Sequence, residues 1–235
     1  MLTVRRKRVG RRGHIMHTIS VINAKGGVGK TSTVLHLAVA SVQDGLNTAI
    51  LDLDPQATCA RWSERRPEPT PVVLVVSVGR LSEELERVAA AGADVVYVDT
   101  PPRWAGSDAA ARAAARVSDT MIVPTRPSIV DLEATMDTIE RIRSVSSARV
   151  IAVLNGCLSR GKDTAGAAAA LAGRNVEVCP ARIGQRVVIA RALLHGRAAQ
   201  EVEPGGKAAD EITNVHSVLS AHIKHTESNG RGENT

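Results

Sequence analysis

Aromatic side chains are almost absent from this chain: its 235 residues include two Trp, one Tyr and no Phe. A platform of aromatic rings on which single-stranded nucleic acid stacks therefore cannot be assembled. The core has to be built from Ala, Val, Ile and Leu, and hydrophobic residues still make up 43% of the chain against 23% charged. This balance is typical of a globular protein, and the length suits one sizeable domain.

Cysteine is also scarce, and the three cysteines (Cys59, Cys157 and Cys179) are odd in number and far apart. There is no Cys-x-x-Cys pair, which argues against a disulfide framework and against a zinc site. No apolar run approaches the roughly 18 residues that a membrane-spanning helix requires. These absences favour a protein of the reducing cytoplasm without a membrane partner.

The net charge of +6 is located at the start of the chain. Residues 1–16 contain six basic residues and no acidic one, which leaves 24 basic against 24 acidic residues in the remainder. The leader is interpreted either as a basic arm for nucleic acid or as an unstructured extension upstream of an alternative start at Met16. The chain is therefore divided into a basic flexible leader, a single domain and a polar tail, at residues 1–16, 17–225 and 226–235.

Short β-rich runs alternate with helical patterns along the domain. The predicted strands cover residues 18–23, 47–53, 71–77, 94–99, 120–124, 149–154 and 176–183. The predicted helices cover residues 30–43, 81–91, 109–117, 163–172, 207–224 and a segment from 128 or 131 to 145, while residues 61–71 are predicted to form a loop. Apolar strands separated by helices indicate a doubly wound α/β fold, a mostly parallel sheet with helices on both faces. Ligands are then expected at the carboxyl ends of the strands.

The most informative stretch is the Gly-rich segment of residues 23–32, NAKGGVGKTS, between the first strand and the first helix. Glycines let backbone N–H groups turn toward an anion, and the helix that follows adds its partial positive charge. Lys30 is placed to reach phosphate oxygens and Thr31 to ligate Mg²⁺. The strict G-x-x-x-x-G-K-[ST] pattern requires Gly at position 24, where this chain has Ala24, so a plain Walker A motif is not matched.

Three aspartates at strand ends complete a possible nucleotide site. Asp99 follows an apolar run and would face Mg²⁺ through its water shell. Asp52 and Asp54 are two residues apart, point to the same side and lie beside the loop if the second strand neighbours the first. One of them would orient or deprotonate the attacking water, or it would merely cap the turn before Pro55.

These residues resemble the deviant Walker A, A′ and B motifs of ParA-type partition ATPases, which are P-loop NTPases. The matching segments read KGGVGKT from Lys25, LDLDPQA from Leu51 and VDTPP from Val98. The likeness extends to Ile122–Pro124, Arg182–Arg186 and Pro204–Ala209. It is greatest for short plasmid-type members that lack a helix-turn-helix domain.

The resemblance implies a role for each site residue. Lys25 would reach across a sandwich dimer to the partner's nucleotide, Asp54 would assist hydrolysis with Asp52 beside it, and Asp99 would act with Thr31 at Mg²⁺. ATP and Mg²⁺ are the implied cofactors, and the intrinsic rate of hydrolysis is expected to be weak. The implied nucleotide-binding residues are Lys25, Gly26, Gly27, Val28, Gly29, Lys30, Thr31, Ser32 and Asn155. Asn155 matches a position that contacts adenine in the family, and the alternative is an asparagine in a strand-to-loop turn.

The family's function implies an ATP-dependent homodimer that binds double-stranded DNA nonspecifically, associates with the nucleoid, and is stimulated by a ParB-like or ribbon-helix-helix adaptor. Such binding needs only a basic surface. The candidate DNA-binding residues are Arg182, Arg186, Arg191 and Lys207. Partition of a plasmid or chromosome is therefore the first function expected.

Three alternatives stay open at this point. A MinD-like regulator on a membrane would need a basic amphipathic anchor, which the C-terminal segment lacks. An ATPase of metal-cluster assembly, similar to nitrogenase iron protein, places a Cys after the strand that ends at Asp99, and Thr100–Gly106 contains none. A relative that positions another cargo by the same mechanism cannot be separated from partition by the chain itself.

Overall fold

The computed structural model describes residues 15–102, 109–158 and 163–231, with the side chains of residues 222 and 224–231 left undescribed. The predicted leader, apart from its last two residues, and the last four residues of the predicted tail lie outside this part of the chain. The strands are β1 (His17–Val21), β2 (Thr48–Asp52), β3 (Val72–Val75), β4 (Val95–Asp99), β5 (Thr120–Thr125), β6 (Arg149–Leu154) and β7 (Glu177–Val178). The helices are α1 (Lys30–Gln43), α2 (Thr58–Glu64), α3 (Leu81–Ala90), α4 (Ala109–Val117), α5 (Ile129–Arg143), α6 (Asp163–Ala172), α7 (Val187–Leu194), α8 (Ala199–Val202) and α9 (Lys207–Arg231).

All the strand pairs are parallel, and the strands form one sheet in the order β3-β2-β4-β1-β5-β6-β7. Helices α3 to α6 cover one face, where they bury Leu51, Val98 and Met121 of the sheet. The other five helices cover the opposite face, over residues that include Tyr97 and Ile151. The predicted doubly wound fold is confirmed, and β1 lies at its centre with its carboxyl end leading into the Gly-rich loop.

The placement of Asp52 and Asp54 beside the loop is conditional on β2 lying next to β1, and this condition is not met, because β4 lies between them. The segment after β2 still reaches the loop, since the thiol of Cys59 donates to Asp99 Oδ2 at 3.5 Å and the Thr31 hydroxyl donates to the same oxygen.

The predicted loop over residues 61–71 is wrong at its start, because α2 continues to Glu64. Trp62 anchors this helix: its ring is buried, and its Nε1–H donates to the carbonyl of Arg197 at 3.2 Å. Local charge and proline content gave no sign of this packing. Three further differences lie in the C-terminal part of the described chain. The last predicted strand is only two residues long, and helices α7 and α8 were not predicted. Helix α9 ends seven residues after its expected end.

Candidate functional site

Two glycines shape the loop between β1 and α1. Gly27 and Gly29 have φ angles of +75° and +93°, which favour glycine. A Cβ on Gly29 would also lie 2.1 Å from Asn155 Nδ2, so a larger residue would displace that amide. Gly29 caps α1 without a side-chain hydrogen bond among the described residues, and the first N–H groups of a helix have no partner within the helix. The result is a cradle suited to an anion.

Asn23 and helix α5 hold the start of the loop in place. Asn23 Oδ1 accepts the N–H of Lys25 at 2.9 Å, while its Nδ2 donates to the Pro124 carbonyl at 2.9 Å and to Thr135 at 3.0 Å. The N–H of Ala24 donates to the Thr138 hydroxyl at 3.2 Å. The loop is therefore fixed by buried hydrogen bonds before any ligand arrives.

The two lysines of the loop differ in environment. Lys30 is buried, and its ammonium donates to the Lys25 carbonyl at 3.1 Å. Burial lowers the pKa of Lys30, while Asp99 and Asp54 oppose that shift. Lys25 is half-buried, and within the described residues no carboxylate or carbonyl pairs with its ammonium. Lys30 is thus hydrogen-bonded within the cradle of its own chain, whereas the ammonium of Lys25, at the edge of the cradle, has no such partner among the described residues.

Asp99 and Thr31 meet at the base of the cradle. Thr31 Oγ1 donates to Asp99 Oδ2 at 2.7 Å. Burial raises the pKa of Asp99 to about 7, with Asp52 adding to the effect. Asp99 Oδ1 is buried and has no hydrogen-bond partner among the described residues. A hydroxyl beside an unpartnered carboxylate oxygen is a donor set that fits Mg²⁺.

Asp52 and Asp54 both cap the turn that follows β2. Asp52 accepts the N–H of Asp54 and the N–H of Cys59, each at 3.0 Å, and Asp54 accepts the N–H of Gln56 at 2.8 Å. Burial raises the pKa of Asp52. The capping alternative thus describes Asp52 well, whereas Asp54 also lies close enough to Lys30 to affect its pKa.

Asn155 and Ser32 lie beside the cradle, each with a partner inside the protein. Asn155 Nδ2 donates to the Val28 carbonyl at 2.8 Å, and its Oδ1 accepts the N–H of Gly156 at 2.8 Å. The Ser32 hydroxyl lies 3.5 Å from Nδ1 of the buried His36. Asn155 therefore supports the loop, and its contact with adenine stays a prediction.

Residues 19–197 match the CobQ/CobB/MinD/ParA nucleotide binding domain family. The chain belongs to this family. Two relatives are named Maintenance of carboxysome distribution protein A (McdA). The protein of Gloeobacter kilaueensis is 36% identical over 136 residues, which is 57% of this chain and 61% of that relative. The protein of Halothiobacillus neapolitanus is 27% identical over 206 residues, 84% of this chain and 94% of that relative.

Solved structures of CobQ/CobB/MinD/ParA proteins have the same fold. MinD of Pyrococcus horikoshii complexed with Mg-ADP gives a TM-score of 0.70 at 18% identity, over 87% of this chain and 96% of that chain. An ATP complex of a McdA variant from Cyanothece gives 0.69 at 16% identity, over 89% and 97%. These comparisons confirm the ParA-type resemblance and the P-loop NTPase fold.

The four basic residues proposed for DNA do not form one surface of equivalent charges in this family member. Arg186 pairs with Glu211 through two hydrogen bonds, Nε at 2.8 Å and Nη2 at 2.5 Å. Its charge is therefore largely neutralised, and it links the segment before α7 to α9. Arg182, Arg191 and Lys207 are exposed on different elements. Among the described residues, Arg186 is thus the candidate that is tied to an acid by hydrogen bonds, and the role of all four in DNA binding stays a prediction.

Cys59 is the site residue that sequence reasoning missed. Its thiol is buried and donates to Asp99 Oδ2 at 3.5 Å, next to the Asp52 side chain. The cysteine count was used only to judge disulfides and zinc motifs. Its position seven residues after Asp52 carried no periodic signal, because a turn separates the two residues.

Proposed function

We propose that this chain is a Mg²⁺-dependent ATPase that forms a homodimer with ATP and uses this switch to position a cellular cargo. The observation that carries the proposal is the contrast between the two lysines of the loop. The cradle for phosphate already contains one cation, Lys30, and also presents Lys25, whose ammonium has no carboxylate or carbonyl partner among the residues that the structure describes. An ammonium at the edge of the cradle is suited to a phosphate bound by a second copy, much as an arginine finger acts in trans.

Each step assigns work to residues of this chain. The loop N–H groups and Lys30 would hold the phosphates of ATP. Thr31 and Asp99 would hold Mg²⁺, which when bound neutralises developing charge on the phosphates. Asp54 would orient the attacking water, since its carboxylate is close enough to act on Lys30. After hydrolysis the γ-phosphate is lost, and Lys25 no longer has a partner across the dimer.

The names of the relatives favour a cargo other than DNA. Two McdA proteins, named for carboxysome distribution, match this chain, one of them over 84% of its length. We therefore favour positioning of a large cellular assembly, with nucleoid DNA as the surface that the ATP dimer binds. Partition of DNA itself is the second candidate, supported by the three-motif resemblance to ParA-type ATPases. No helix in the described part of the chain is both long and apolar enough to cross a membrane.

The test is binding to random-sequence duplex DNA with ATP, with ADP and without nucleotide. The full chain is compared with a shortened chain that begins at Met16 and so lacks the six basic residues of the leader. Met16 itself is buried in the core. The proposal expects ATP-dependent binding by both proteins, because the body makes its DNA surface by dimerising. Binding that follows the leader regardless of nucleotide would contradict it, and binding to anionic vesicles instead of DNA would favour a MinD-like surface.

A further inference from the structure

Three buried side chains from different elements converge below the phosphate cradle. Asp52 ends β2, Asp99 ends β4, and Cys59 lies in the first turn of α2. Each offers one ligand atom, and these atoms lie within 4.8 Å of one another. We propose that Asp52, Cys59 and Asp99 bind one thiophilic divalent cation of the Zn²⁺, Cd²⁺ and Co²⁺ class.

The spacing of the sulfur and oxygen ligands suits such an ion. Cys59 Sγ lies 3.5 Å from Asp99 Oδ2. A tetrahedral Zn²⁺ with Zn–S about 2.3 Å and Zn–O about 2.1 Å separates its sulfur and oxygen ligands by about 3.6 Å. The thiol–carboxylate contact therefore already has the length of one edge of a zinc tetrahedron.

An unsatisfied acceptor, the same Asp99 oxygen that fits Mg²⁺, marks the cluster as a place for a cation. Asp99 is fully buried, and its Oδ1 has no partner among the described residues. Buried polar atoms are normally hydrogen-bonded, so an orphaned carboxylate oxygen requires an explanation. Asp52 accepts the N–H groups of Asp54 and Cys59, one on each oxygen, and the N–H of Ala60 also acts on it. A carboxylate offers about four lone-pair sites, so one remains for a cation.

The three ligand side chains are fully buried, with Asp52, Cys59 and Asp99 each at 0% exposure. Two carboxylates enclosed this closely place negative charge where solvent does not reach, and such charge normally needs a partner. A bound dication would supply the compensating positive charge.

Binding is an acid–base step without redox chemistry. The S–H bond of Cys59 breaks heterolytically, the proton leaves to solvent, and the thiolate donates an electron pair to the cation. Mg²⁺ prefers oxygen ligands and octahedral geometry, so the thiolate selects the softer ions. Thr31, which contacts Asp99, is the half-buried residue that connects the cluster to the cradle.

The proposed site runs against the expectation, drawn from cysteine spacing, that a zinc site is unlikely. Its ligands come from three separate segments, so no pattern along the chain reveals them. Because Asp99 would be shared with Mg²⁺, a thiophilic ion would compete with Mg²⁺ at the base of the cradle. That consequence rests on the proposed function, whereas binding of the ion does not.

The test uses Co²⁺ titration of the full, nucleotide-free chain, followed by absorption in the near-ultraviolet and visible range. The wild type is expected to bind one Co²⁺ with a thiolate-to-cobalt charge-transfer band that Zn²⁺ abolishes. Cys59→Ser should lose the band and bind Co²⁺ about 100-fold more weakly. Cys157→Ser and Cys179→Ser, which remove buried cysteines outside the cluster, should keep the band. A wild type without the band, or a Cys59→Ser variant with it, would overturn the proposal.

A second variant guards against misfolding of Cys59→Ser, which is checked by circular dichroism. Asp52→Asn keeps the thiol and the shape of the side chain but removes a charged oxygen ligand. It should retain the charge-transfer band with an affinity for Co²⁺ lowered about tenfold. An unchanged affinity would remove Asp52 from the site. Since no nucleotide is present, these results are independent of whether the chain hydrolyses ATP.

Discussion

The phosphate cradle and the basic segment from Arg182 to Lys207 both carry the charges expected of their roles, yet they are built differently. In the cradle, the charges of Lys30 and Asp99 are buried and held by short contacts. In the basic segment they lie at or near the surface, and one of them, Arg186, is hydrogen-bonded to Glu211. The fold holds a cation of the cradle where it can bind a ligand. A cation of the basic segment can bind a ligand only if no acidic side chain is paired with it.

The two regions also differ in how well the role of a basic residue can be predicted from the sequence. The loop motif fixes backbone geometry locally, so its lysine can be assigned from the sequence. A surface arginine takes its role from whatever lies opposite in the fold, and Glu211 is 25 residues away from Arg186 along the chain. The following experiments test the contrast, beginning with the largest expected effect.

Lys30→Ala should abolish nucleotide binding, with a loss of affinity of at least about 100-fold, because a buried cation at the phosphates is removed. Fluorescence anisotropy with a labelled ATP analogue measures this. Lys207→Ala removes an exposed lysine of the basic segment and serves as the matched control with unchanged affinity. An equal loss of ATP affinity in the two variants would contradict the difference proposed between the cradle and the basic segment.

Asp54→Asn should lower the rate of ATP hydrolysis about 100-fold, since an amide cannot accept the proton of the attacking water. The amide oxygen can still accept the N–H of Gln56, so the turn should survive. Phosphate release measures the rate, and ATP-induced dimerisation should be retained. A variant that hydrolyses ATP at the wild-type rate would leave Asp54 with its capping role alone.

His36 joins the two regions, because Gln200 of α8 donates to the carbonyl of this α1 residue. Burial lowers the pKa of His36 from 6.5 to about 4, and its Nε2 has no partner among the described residues. The unfolded chain therefore binds one more proton between pH 6.5 and 4, and stability falls by about 3 kcal/mol as the pH drops through that window.

Urea unfolding at a series of pH values measures this loss. His36→Gln should remove that part of the pH dependence, while His195→Gln, at an exposed histidine, should keep it. A His36→Gln profile that runs parallel to the wild type would show that acid instability arises elsewhere.

Arg186→Ala should cost about 1–2 kcal/mol of stability, because it leaves Glu211 without its two charge-assisted hydrogen bonds. Its effect on DNA affinity should be small. Arg191→Ala is expected to do the opposite. Stability should change little, and the slope of log K for DNA binding against log salt concentration should fall in magnitude by about 1. Thermal unfolding and DNA titrations at several salt concentrations separate the two outcomes. A large DNA defect in Arg186→Ala would restore it to the DNA surface.

Much of the fold follows from local patterns in the sequence. The bounds of α1, α4, α6 and β6 agree with the prediction to the residue, because each element has clear apolar periodicity and stop signals. Helix α2 and the segment that holds α7 and α8 escaped prediction, since their stability comes from Trp62, Arg66 and Glu201, which join distant parts of the chain. The strand order could not be predicted either. Without it, the contact between Cys59 and Asp99 could not be predicted.

The most direct test of the account is the mass of the wild type and of Lys25→Ala in solution, measured by light scattering with ATP and with ADP. The wild type should double its mass with ATP alone. Lys25→Ala should bind ATP as tightly as the wild type and stay monomeric, because its own cradle keeps Lys30 while the cation offered to a partner is gone. A Lys25→Ala protein that dimerises normally with ATP would contradict the role in trans.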